Sequence, residues 1–122
     1  YLIRLPSGEK LAFATDTRVL NVDIKDVSYW MVECNYERAI LVGNVNSGII
    51  NVSLANRIIS SHLSLDQLKK TIMLNDMTKT KMIMLIHLSD KNSNADKFIS
   101  EISQLTGKLT VCAEKGQLIE LL

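Results

Sequence analysis

The sequence predicts an α/β domain built on a mixed β-sheet. Short runs of β-branched and aliphatic residues are bounded by turn residues, as strands are. Between them lie segments whose apolar residues recur at helical spacing. The order is a hairpin, then strands alternating with helices, then a closing hairpin, and alternation of this kind predicts an α/β architecture.

Residues 1–5 and 10–15 predict the first hairpin around Pro6-Ser7-Gly8-Glu9, where Pro and Gly mark the turn. Residues 17–26 are mixed and predict a loop with a short irregular segment. Residues 29–32 form a third apolar strand that ends at Glu33-Cys34-Asn35-Tyr36. The stretch Gly43-Asn44-Val45-Asn46-Ser47-Gly48 is loop chemistry. Two helices are expected next, over 52–60 and over 64–75, the second with Ser64 as its N-cap and Leu65, Leu68 and Ile72 on one side. Residues 81–87 are too apolar for an edge strand. Residues 94–105 predict an amphipathic helix with Phe98, Ile99, Ile102 and Leu105 inward, Asn94 as the cap and Gly107 as the stop. Strands over 109–113 and 118–121, joined at Lys115-Gly116, close the pattern.

At 122 residues the chain has the length of one domain. Its 14 basic and 13 acidic residues leave a net charge of +1, so bulk charge gives no argument for nucleic acid, though a local patch can still bind phosphate. Cys34 and Cys112 lack the short spacing of a zinc knuckle or a redox pair, and read as reduced, buried thiols in a cytoplasmic protein. No run approaches the roughly 20 apolar residues of a membrane span. The chain opens at Tyr1-Leu2-Ile3, already inside a predicted strand, and on that ground is expected to be a piece of something longer.

The chemistry lies where apolar strands give out. Open α/β sheets place their sites at the carboxyl ends of strands. Leu11-Ala12-Phe13-Ala14-Thr15 runs into Asp16, and Met82-Ile83-Met84-Leu85-Ile86 runs into His87. A carboxylate can bridge two cations about 3.5–4 Å apart, which a neutral side chain cannot do; on its own motif Asp16 reads first as a turn cap, a place Asp often takes. Glu33 ends the third strand, either facing solvent or orienting a histidine through its second N–H. His62 and His87 are the only histidines, and each stands in a His-Leu-Ser tripeptide. Imidazole binds zinc or manganese, and in its protonated form gives a proton to a leaving oxygen. Asp90 lies close enough in sequence to help position His87. Arg57 and Lys69-Lys70 read as exposed helix residues or, in the alternative, as phosphate contacts, while Trp30 and Phe98 read as core.

In order, Ala-Thr-Asp-Thr at 14–17, a strand-end Glu33, Ser-Ser-His-Leu-Ser at 60–64 and Leu-Ile-His-Leu-Ser-Asp at 85–90 resemble the C-terminal half of a metallo-β-lactamase-fold hydrolase. The closer likeness is to the phosphodiesterase and nuclease branch that includes RNase Z, and it spans 1–122. The resemblance implies half of an αββα sandwich, a mixed sheet with helices on one face and an exposed apolar second face that self-association, an unseen segment or nothing covers. It implies Asp16 and His87 as ligands to two divalent ions, zinc or manganese, with His62 at the scissile phosphate oriented by Glu33. The family's His-x-His-x-Asp-His cluster is absent, which implies a site completed by an N-terminal half and little activity in this chain alone. Cys34-Asn35 stand where the RNase Z motif has Ala-Thr, which weakens a link to tRNA processing. The expected substrate is a phosphodiester, nucleic acid or cyclic nucleotide, and the expected partners are a second copy or the missing half, with no membrane. Two alternatives stand beside it: a thioester or lactam hydrolase of the same fold, and a metal-free binding or assembly module.

Overall fold

The computed structural model describes residues 1–119 and Leu121. Among the described residues the chain forms β1 (Leu2–Arg4), β2 (Lys10–Ala14), β3 (Val27–Glu33), α1 (Arg38–Asn46), α2 (Val52–Ser61), α3 (Leu65–Met73), β4 (Met82–Ile86), α4 (Ala95–Thr106) and β5 (Leu109–Cys112). The strands lie in the sheet in sequence order, β1-β2-β3-β4-β5. The first pair is antiparallel and the other three are parallel, so the sheet is mixed.

This order decides where the helices go. Each parallel connection moves one strand further in the same direction. Right-handed crossovers stepping one way must all pass over the same face of the sheet. Accordingly Leu65, Leu68 and Ile72 of α3 and Phe98 and Ile102 of α4 pack with Ala12, Trp30, Val32, Ile83 and Leu85, alternate residues of one sheet face. Trp30 and Phe98 are core, and Trp30 Nε1 donates to Thr80 Oγ1 at 3.2 Å. Residues 17–26 form no strand or helix, but Leu20, Val22 and Ile24 close the rim of this core.

The opposite face carries Leu11, Tyr29 and Met84, with Phe13, Met31, Met82 and Val111 around them. The second face is apolar, but the exposure expected of it is not found at its centre, where Leu11, Tyr29 and Met84 are buried. Leu5, Ile119 and Leu121 pack against it, and a cavity of about 270 Å³ remains between the sheet and the C-terminal segment. The closing strand expected over 118–121 is not formed at Leu118, Ile119 or Leu121, and Glu120 lies outside the described residues.

Helix ends follow the sequence closely. Asn51, Ser64 and Asn94 cap α2, α3 and α4 by accepting the N–H of Leu54, Gln67 and Lys97. Gly107 ends α4 at φ 67°, a conformation that favours glycine. The main departure is α1, which runs through the Gly43-Asn44 predicted as loop. A glycine inside a helix costs roughly 0.5–1 kcal/mol against alanine. Two tertiary contacts offset it: Leu41 packs with Tyr36, Ile50 and Ala55, and Asn44 Nδ2 donates to Lys91 O and Asn92 Oδ1, both at 2.8 Å.

Two polar side chains of α3 and its C-terminal end tie down the loop over 17–26: Thr71 Oγ1 donates to Leu20 O at 2.7 Å, and the buried amide of Asn75 makes the other contacts. Asn75 Oδ1 accepts the N–H of Ile24 at 2.8 Å, and Nδ2 donates to the carbonyls of Val22 at 2.8 Å and Thr71 at 2.7 Å. Asn75→Ala removes the side-chain partner of the Ile24 N–H and the Val22 carbonyl, while Thr71 O keeps the Leu74 N–H, and is expected to lower unfolding free energy by about 2 kcal/mol in a denaturant titration. An unchanged midpoint would show that the Asn75 amide does not hold the loop.

Candidate metal centre

β2, β3 and β4 are parallel, so their carboxyl ends share one rim of the sheet. Register aligns Ala14 with Val32 and Val32 with Leu85, which sets Glu33 at the centre of that rim with Asp16 and His87 just past the strands on either side. His62 arrives from the helical face, at the break between α2 and α3, where it leaves the helix in extended backbone. The structure thus brings all four predicted residues together. One ligand atom from each of Asp16, Glu33, His62 and His87 lies within 4.8 Å of the others.

Glu33 is the hub. Its side chain is 0% exposed, against 23% for His62, 47% for His87 and 66% for Asp16. Oε1 lies 2.7 Å from His62 Nδ1 and 2.6 Å from His87 Nδ1, and Oε2 accepts the Leu63 N–H at 2.9 Å. An ionised carboxylate offers only lone pairs, so with Glu33 in that form both Nδ1 atoms carry hydrogen. In the neutral rings Nε2 is then the free acceptor on each histidine. The sequence assigns Glu33 one histidine to orient, and the structure gives it two. The rings meet edge to face, with centroids 5.0 Å apart. Asp16 Oδ1 stands 3.8 Å from His62 Nδ1 and 3.6 Å from His87 Nδ1, beyond hydrogen-bond length.

The backbone at both flanks is left-handed, with φ 55° at Asp16 and 58° at His87. Such φ values are uncommon outside glycine and persist where surrounding contacts impose them. At His87 the contact is Asn35, whose Nδ2 donates to the His87 carbonyl at 2.8 Å while its own carbonyl accepts the Ser89 N–H at 2.8 Å. Asn35 Oδ1 is buried without a hydrogen-bond partner among the described residues. Sequence reasoning registers Asn35 only as a departure from a motif, because nothing in a strand-end Asn signals which carbonyl it will bind. Thr15 Oγ1 lies 3.5 Å from both His87 Nδ1 and Asp16 Oδ2. Asp90 is exposed and stands outside the cluster.

The cysteines take no part in it. Cys34 and Cys112 are free, the first buried and the second half-buried. Burial pushes the Cys34 thiol well above its ordinary range, which opposes the thiolate a metal needs. Lys69 pairs with Glu101 at 2.5 Å, whereas Arg57 and Lys70 are exposed. Among the described residues, no helix is long and apolar enough to cross a membrane. Comparison with known proteins returns no matching family model, no matching curated protein and no matching solved structure.

The Glu33 geometry makes a spectroscopic prediction. Ring ¹⁵N shifts in the metal-free protein should report the Nδ1–H form for both histidines when neutral. Glu33→Ala should move both toward the Nε2–H form and lower stability by about 3 kcal/mol. An Nε2–H ring at either position in the unsubstituted protein would contradict the shared acceptor.

Proposed function

We propose that this chain carries half of the active site of a metal-dependent phosphodiesterase, in the C-terminal half of a metallo-β-lactamase-like domain. The observation that carries the reading is the convergence of Asp16, His62 and His87 on the buried carboxylate of Glu33. An exposed carboxylate beside imidazoles is a donor set suited to zinc, manganese or iron. An imidazole whose Nδ1–H is held by a carboxylate is the usual arrangement behind a metal-binding Nε2. Asp16 and His87 would hold the metal, and the three protein ligands that a catalytic zinc normally takes require at least one from elsewhere. When bound, divalent ions supply hydroxide near neutral pH and offset charge on phosphate.

The chain's own residues do the rest. Glu33 Oε1 fixes the orientation of the His62 ring through Nδ1. In its protonated form that ring would pass the proton on Nε2 to the departing oxygen of a phosphodiester. A thiolate leaves without protonation, so the 2.7 Å Glu33–His62 contact suits a phosphodiester better than a thioester.

Asp16→Ala and His87→Ala, made in the full-length protein, are expected to lower manganese- or zinc-dependent hydrolysis of a phosphodiester by at least about 100-fold. His62→Ala should cost about 10²–10⁴-fold on the same substrate. Metal-dependent turnover left unchanged by Asp16→Ala or His87→Ala would overturn the assignment.

A further inference from the structure

Beside the cluster lies a groove of about 480 Å³ whose lining includes Arg18, Arg38 and Lys70 against one carboxylate, Asp66. Its position follows from the backbone. The segment after Glu33 runs beside the segment after His62: Asn35 N–H donates to Leu63 O, Leu65 N–H donates to Tyr36 O, and Tyr36 bridges to Ser64 in parallel. Glu33 and His62 form the cluster, and Tyr36 and Ser64, a few residues on, line the groove. Three residues of chain reach at most about 11 Å. Arg18 enters two residues after Asp16, so the groove and the cluster share three connecting segments.

The groove cations are free to meet a ligand. Arg18, Arg38 and Lys70 are exposed, and none joins an ion pair among the described residues. Arg38 is the first residue of α1, an end where the helix dipole disfavours a cation by a few tenths of a kcal/mol or more. An anion in the groove reverses that penalty. The net charge of the whole chain is only +1, so this excess is local. Arginine forks match phosphate oxygens two at a time, and Lys70 adds a point charge.

We infer that the groove of Arg18, Arg38 and Lys70 is a second phosphate subsite, which holds a non-reacting phosphate of the substrate while another meets the Asp16–Glu33–His62–His87 cluster. This rests on the phosphodiesterase reading for its substrate, but its test does not. The second phosphate belongs either to the next link of a nucleic-acid strand or to a small nucleotide bearing two phosphates.

The test is binding of a fluorescein-labelled single-stranded DNA decamer to the full protein, read by anisotropy in EDTA across a salt series. Simultaneous Arg18→Ala, Arg38→Ala and Lys70→Ala should weaken binding at least tenfold at low salt. It should also flatten the slope of log affinity against log salt by about 2, near 0.7 for each phosphate no longer neutralised. Lys79→Ala, in the loop before β4 at the other end of the strands, should change affinity less than twofold. Adenosine 3′,5′-bisphosphate that competes as well as the unlabelled decamer assigns the second phosphate to a small nucleotide, and weaker competition assigns it to a strand. The subsite is refuted if the triple variant binds like the parent, if Lys79→Ala weakens binding as much, or if neither probe binds. Because no metal and no turnover enter the measurement, a failed metal assignment leaves its result standing, and the reverse also holds.

Discussion

A carboxylate with no solvent exposure sits at the centre of the strand rim, and the local structure is arranged around its partners. An unpaired buried charge is destabilising by several kcal/mol, so Glu33 is tolerable only with N–H groups directed at it. Three nitrogens meet it: the Leu63 N–H and Nδ1 of His62 and of His87. These come from the junction of α2 with α3 and from the end of β4. One side chain therefore ties the helical layer to two adjacent strands, and in doing so sets which nitrogen of each imidazole is free.

The sheet order makes this hub possible. Because β2, β3 and β4 are parallel neighbours, three chain segments leave the sheet at one rim. Because the crossovers step in one direction, α3 and α4 pack on one face, and Leu63, next to His62, packs there with them. The left-handed backbone at Asp16 and His87 turns the chain sharply where each functional group is delivered. Asn35 and Asn75 act alike at two places, each using a side-chain amide to hold a segment without regular structure of its own.

Much of the fold was legible because its signals are local. Ser64, Asn94 and Gly107 announce helix ends by chemistry that operates within three or four residues. The apolar runs behind β3 and β4 are equally plain. What escaped is what depends on distant partners. The α1 helix overrides Gly43 and Asn44 through Leu41 and through contacts with residues 91 and 92. The C-terminal segment covers the second sheet face without forming the expected strand at its described positions. The groove beside the site was invisible, since Arg18, Arg38 and Lys70 belong to three different elements or loops.

The sequence by itself determined the α/β class, the order of most elements and the identities of Asp16, Glu33, His62 and His87 as polar residues at strand and helix ends. Periodicity, capping and turn chemistry suffice for that, because each acts over a few residues. Only the tertiary structure decided that the two histidines share one oxygen of Glu33. Those contacts span 29 and 54 residues of chain. No local pattern encodes a hydrogen bond across that distance; it follows from parallel strand register and from the burial of a charge that must find its donors.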